Sequence, residues 1–154
     1  NVAEGTGRSS NVDFSRFVEI GYGSLMECVS ESHIARRQEF LEATAFGELY
    51  QRADQLARML VEITKAQLVN YHLGRLLDTH QSRPAQISLA KMNNVQEAIM
   101  IARIARDILG ARGILADHQI IRHLCDLEAI SALEGTDSMH TLVIGQEITG
   151  ISAL

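Results

Sequence analysis

The residues best suited to chemistry lie in the run Leu133-Glu134-Gly135-Thr136. A carboxylate ends one helical pattern there, beside a glycine that lets a ligand come close to the backbone. Thr136 can open the next helix, whose first amides can receive an anionic or polar group. A carboxylate desolvated at such a break becomes a stronger base. The competing reading is an ordinary helix-ending turn with an exposed glutamate.

Other candidates are weaker. The six histidines are His33, His72, His80, His118, His123 and His140. Two metal ligands on one helix need a spacing of three or four, and His118 and His123 are five apart. No HExxH or ExxH motif occurs, so no metal site is expected. No P-loop, GxGxxG after a strand or GxSxG elbow occurs either. Asp126 and Glu128 read as a solvated helix face. Cys28 and Cys125 have no CxxC partner and are expected to be reduced, buried thiols in a cytoplasmic protein.

The elements that position these residues are helices. The chain has 154 residues with one proline, Pro84, and no tryptophan. Such a composition argues against a turn-rich β protein. A polar stretch, Asn1 to Asn11, reads as loop. A first helix should start near Asn11–Asp13 and end around Arg36–Gln38, with Gly21 and Gly23 marking close approach of a neighbour. A second should run from about 44 to 80, with Phe46, Leu49, Ala53, Leu56, Leu60 and Ile63 in one stripe. Beyond residue 61 the stripe changes phase to Val61, Leu68 and Tyr71.

Pro84 suits the first turn of a third helix, lined by Ile87, Val95, Ala98, Ala102, Ala105 and Leu109. Gly110 ends it. Asp117 can cap a fourth helix with Ile120, Ile121, Leu124, Leu127 and Ile130 on its apolar side. Thr136 or Asp137 caps the last, which carries Met139, Val143 and Ile148. The expected fold is all-α, an antiparallel bundle of about five helices.

Composition shifts along the chain. Six of seven aromatics fall in the first 50 residues, and thirteen of fifteen isoleucines follow residue 60. Net charge is −5 overall. Residues 1–58 hold 6 basic and 9 acidic groups, a net of −3. That sign disfavours nucleic-acid binding. No apolar run approaches the ~18 residues that span a bilayer, and the start does not read as a signal peptide.

Residues 61–154 resemble the C-terminal helical domain of acyl-CoA dehydrogenases, nearest the glutaryl-CoA branch. The segments are LGRLLD (73–78), SLAKMNN (88–94), ARIARDILGARGI (102–114), IIRHLCDLEAI (120–130), LEGT (133–136) and HTLVIGQEITGI (140–151). The resemblance implies that Glu134 is the base that removes the α-proton of an acyl-CoA while the β-hydrogen leaves as hydride to FAD. It implies that Gly135 and Thr136 hold the flavin. It also implies that the turn bearing Gly110 and Gly113 contacts the cofactor of a neighbouring subunit in a homo-oligomer. Two positions depart from the family pattern: Ala111 stands at the second glycine of that turn, and Leu133 replaces the usual tyrosine.

Residues 1–60 resemble another family, the four-helix-bundle proteins of ribosomal-RNA intervening sequences. The runs are NVAEGTGRSSNVDFSRFVEIGYGSLMECVSESHIA (1–35) and LYQRADQLARML (49–60). That resemblance implies an oligomeric bundle associated with nucleic acid and without catalysis. The expectation is two segments, 1–60 and 61–154, joined inside the long helix as a chimera. The sequence supplies neither the N-terminal helical domain nor the β-domain of a dehydrogenase, so the chain alone is expected to be inactive. The alternative is a non-catalytic, self-associating bundle.

Overall fold

The computed structural model describes residues 11–152, with side chains from Arg16 onward. The loop expected over residues 1–10 lies outside the described residues. Among the described residues five α-helices follow one another: α1 (Asn11–Arg37), α2 (Ala43–Asp78), α3 (Pro84–Leu109), α4 (Ile120–Ala132) and α5 (Asp137–Thr149). Among the described residues there is no strand. The all-α architecture holds, and α2 is continuous through residues 59–63, as expected.

The chain divides into two compact units, Asn1–Thr64 and Lys65–Leu154. In the first unit, the five residues after α1 reverse the chain. Glu39 takes a left-handed φ of 61°. Phe40 N–H then reaches back to the Ala35 carbonyl at 2.9 Å, and Glu39 N–H to the Arg36 carbonyl at 3.3 Å. These two bonds satisfy carbonyls that the helix end leaves free. The reversal sets the His33 ring edge-on to Phe46 (centroids 4.8 Å) and to Tyr50 (6.0 Å). Phe46 and Tyr50, one turn apart on α2, form the other side of this aromatic corner. Among the described residues of this unit, the buried apolar ones are Val18 and Ala53.

In the second unit, α2 ends as α1 does. His80 is left-handed at φ 55°, and Gln81 N–H bonds the Leu76 carbonyl at 2.8 Å. α3 opens on Pro84, and the Gln86 side chain accepts the Arg83 N–H at 2.9 Å. α3 then packs against both α4 and α5. Its buried residues are Ala85, Ser88, Ala90 and Ala102. Polar pairs fasten its surface: Asn94 to Asn70 of α2 (2.8 Å), Arg103 to Glu128 of α4 (2.8 Å), and Gln96 to Asp137 of α5 (2.7 Å). Arg83 and Glu147 form a further ion pair. Arg103 and Glu128 are both more than half exposed, so that pair contributes at most about 1 kcal/mol.

Three expectations are corrected. Asp117 does not cap α4. It lies in a 3-10 turn, Ala116–His118, and α4 starts only after Gln119, left-handed at φ 63° with no side-chain cap. Cys28 and Cys125 are exposed rather than buried: Cys28 lies in the apolar spacing of α1, yet no neighbouring element covers that position, and Cys125 lies beside the stripe of α4. Gly23 does not mark a close approach: a Cβ there would meet no atom within 4 Å.

Gly74, inside α2, is equally open. A helix-interior glycine in open space gives up about 1 kcal/mol relative to alanine. Gly23→Ala and Gly74→Ala should therefore each raise stability by ~0.5–1 kcal/mol in urea denaturation.

Candidate functional site

α4 runs out at Ala132, and α5 begins at Asp137. The four residues between them make a sharp reversal. Leu133 is extended (φ −77°, ψ 152°), with its N–H bonded to the Ala129 carbonyl at 3.0 Å. Glu134 is left-handed at φ 56°, and Gly135 follows at φ 99°. A non-glycine residue in that region gives up roughly 1–2 kcal/mol. Glu134 is one of four such residues among those described, and the only one with a candidate chemical role. Strain of this kind persists only where neighbours over-determine the turn.

Those neighbours come from α3 and α5. Lys91, half-buried on α3, donates from Nζ to the Gly135 carbonyl at 2.5 Å and to the Ser131 carbonyl at 3.4 Å. His140, on the first turns of α5, is 8% exposed. A Cβ added at Gly135 would lie 3.2 Å from both Cε1 and Nε2 of the His140 ring. Only glycine fits there without displacing that ring, quite apart from its φ. The His140 N–H bonds the Thr136 carbonyl at 3.0 Å, which starts α5. Its buried Nε2 has no hydrogen-bond partner among the described residues.

Glu134 is exposed, with its carboxylate at the tip of the turn. Thr136 occupies the N-cap position, but its hydroxyl makes no capping bond. It is exposed and free to meet a ligand. Asp137 at the first helical position is held by Gln96. The arrangement presents a carboxylate, a close-approach glycine and an uncommitted hydroxyl in three successive residues.

The second expected site is a separate place on this unit. Gly110 ends α3 at φ 56°, and a Cβ there would meet nothing within 4 Å. Gly113 is different: it is buried, and a Cβ would sit 2.4 Å from the Arg106 carbonyl oxygen. Its lack of a side chain is explained by packing within the turn. No hydrogen bond or ion pair among the described residues joins residues 110–113 to residues 133–136.

Sequence reasoning missed Lys91 and the His140 contact. A signal for Lys91 was available: it falls between Ile87 and Val95 in the apolar stripe of α3, four residues from each. A lysine in such a stripe has to carry its ammonium to an acceptor. Among the described residues there is no group of three or more metal-binding side chains, and no helix long and apolar enough to cross a membrane.

Comparison with known proteins places the chain in a family. Residues 9–149 match the family model described as acyl-CoA dehydrogenase, C-terminal domain. The matched range includes residues 59–63. A (2S)-methylsuccinyl-CoA dehydrogenase of Cereibacter sphaeroides is 29% identical over 120 residues, 78% of this chain and 22% of that protein. A 3-(aryl)acrylate reductase of Clostridium sporogenes is 29% identical over 94 residues, 61% of this chain and 25% of that protein. The chain thus spans about a quarter of these relatives' length. Among solved structures, a glutaryl-CoA dehydrogenase from Mycobacterium smegmatis superposes with a TM-score of 0.65 at 37% identity, covering 96% of this chain and 40% of that one. A glutaryl-CoA dehydrogenase structure from the same organism, in complex with FADH2, gives 0.66 at 39% identity, covering 89% of this chain and 36% of that one.

Substitution at Gly135 tests the turn. Gly135→Ala meets both a positive φ and the His140 ring, and should lower stability by about 1–3 kcal/mol. Thermal or urea denaturation of that variant beside Gly110→Ala checks it. Gly110→Ala meets only the φ penalty and should lose less.

Proposed function

The chain belongs to the acyl-CoA dehydrogenase family, and from that premise we propose that Glu134 is the base that takes the α-proton of an acyl-CoA thioester. The observation that carries this reading is the left-handed Glu134, held at the tip of the α4–α5 turn by groups on both sides. A base must be fixed relative to the C–H bond it attacks, and a strained, braced turn does that better than a free helix end. The carboxylate is exposed in this chain, so the enclosure that strengthens a base has to come from the bound thioester and the remainder of a complete enzyme.

Gly135 and Thr136 fit the resemblance's assignment to the flavin. The His140 ring fills the side of Gly135 that a Cβ would occupy, so this glycine's part is to form the turn, and the Thr136 hydroxyl makes no capping bond. Gly110 suits the same role toward the cofactor of a second subunit, with Gly113 shaping the turn behind it. A bound flavin supplies the hydride acceptor for the β-hydrogen. The chain's own residues supply the proton acceptor and the backbone cradle. The substrate class that follows is an acyl-CoA of the glutaryl type, supported by the similarity to glutaryl-CoA dehydrogenases. Activity belongs to the complete protein rather than to this stretch alone. A cytoplasmic setting agrees with two free thiols.

The decisive test is Glu134→Gln in the flavin-loaded enzyme. Reduction of the flavin by acyl-CoA should fall by about 10²–10⁴-fold, the range typical of a lost general base. The flavin absorbance spectrum should be unchanged. Full-rate bleaching in that variant would refute the assignment.

A specific observation also supports self-association. Large apolar residues are exposed on the second unit, among them Leu68 (63%), Tyr71 (61%), Leu89 (54%) and Ile148 (78%). Surfaces of this kind mark association sites. In a non-catalytic reading, the chain is a helical bundle that closes these faces against further copies and binds no flavin. The homo-oligomer is common to both readings; flavin binding separates them. Sedimentation at micromolar concentration should give a species larger than 17.0 kDa. A clean monomer would contradict self-association.

A further inference from the structure

We propose that Lys91 is a positioning residue for Glu134, holding the left-handed turn from which that carboxylate acts. The proposal rests on the reading of Glu134 as the base. Lys91 lies 43 positions before Glu134 in sequence and on a different helix, so the two meet only in the folded unit.

The geometry is that of a clamp. One ammonium group serves two carbonyls on either side of the Glu134 residue. Ser131 O belongs to the last turn of α4, where helix carbonyls have no partner within the helix. Gly135 O belongs to the Gly135–Thr136 peptide, one residue beyond Glu134. The bond to Gly135 is the short one, at 2.5 Å. A hydrogen bond from a charged donor is about twice as strong as one between neutral groups. Rotating Glu134 to a right-handed conformation would redirect the following peptide and carry the Gly135 carbonyl away from Lys91. The bond is therefore made in the strained form and opposes its release. The His140 ring packed where a Gly135 Cβ would lie supports the same turn from the other side, by contact rather than charge.

A lysine serving only as a helix cap would need Ser131 alone. The shorter and better contact goes instead to the turn that carries the base. Nothing in the geometry asks Lys91 to touch substrate, and its role is exerted through the backbone of Glu134–Gly135.

Two measurements on Lys91→Met, which keeps the stem and removes the ammonium, test the clamp. In this chain, labelled for NMR, a positive φ at Glu134 gives a strong intraresidue cross-peak between the amide proton and Hα. That cross-peak should weaken in Lys91→Met and persist in Lys91→Arg. In the flavin-loaded enzyme, kcat for acyl-CoA should fall about 10–100-fold with KM and flavin content nearly unchanged, because misplacement of about 1 Å is worth that much. Lys91→Arg should recover most of the loss. If Lys91→Met does not fold, Lys91→Gln, which keeps a neutral donor, is read by the same two measurements and should show the intermediate effect. An unchanged cross-peak with kcat within twofold of the parent overturns the clamp. Glu134→Gln at full activity would instead remove Glu134 as the base, and the cross-peak then decides the clamp by itself.

Discussion

The second unit depends on how closely other helices approach α3. Its buried positions are Ala85, Ser88, Ala90 and Ala102, all small. Small side chains let α4 and α5 come near enough to α3 for its longer polar residues to reach across. Lys91, Gln96 and Arg103 each find an acceptor on a neighbouring element because of that approach. Bulkier residues at the contact would push the helices apart and part all three pairs together. The turn at Glu134 is thus shaped by packing that lies mostly outside the turn.

The same economy leaves little apolar area in the interior. No side chain among the described residues is nearly fully enclosed, and the buried apolar set is Val18 with four alanines. At about 25 cal/mol per Å² of apolar surface removed from water, alanines contribute modestly. The large residues that could contribute more, such as Ile87, Leu89 and Met100 on α3 itself, remain at the surface. A helix apolar on several sides is suited to a place between layers, with partners on more than one face. The stability of the second unit therefore depends strongly on what covers those faces.

Much of this was legible in the sequence where a residue type has a single local effect. Pro84 set the start of α3 and Gly110 its end, and the 133–136 break fell between two helices as expected. The continuous α2 followed from the absence of a breaker between residues 48 and 73. Where local chemistry offers several outcomes, the reading failed. Asp117 could cap a helix, but two 3-10 turns intervened and the chain restarted through a left-handed Gln119. Gly23 could mean contact or mere tolerance, and the structure has tolerance. The cysteines were expected in the core, and both lie on the surface.

The candidate site divides along the same line. Glu134, Gly135 and Thr136 are adjacent in sequence, so their adjacency in space required no folding to be seen. Their conformation did. Glutamate has no intrinsic preference for a φ of 56°, and no pattern within ten residues announces it. The left-handed state follows from a lysine 43 positions earlier and a histidine six positions later, joined through one peptide and one missing Cβ. Of these only the glycine carries a local signal, since a positive φ and a close approach both call for it. Residue types suggest the candidate chemistry of the site, whereas its geometry depends on a long-range contact of which the lysine within the apolar stripe of α3 is the one trace in the sequence.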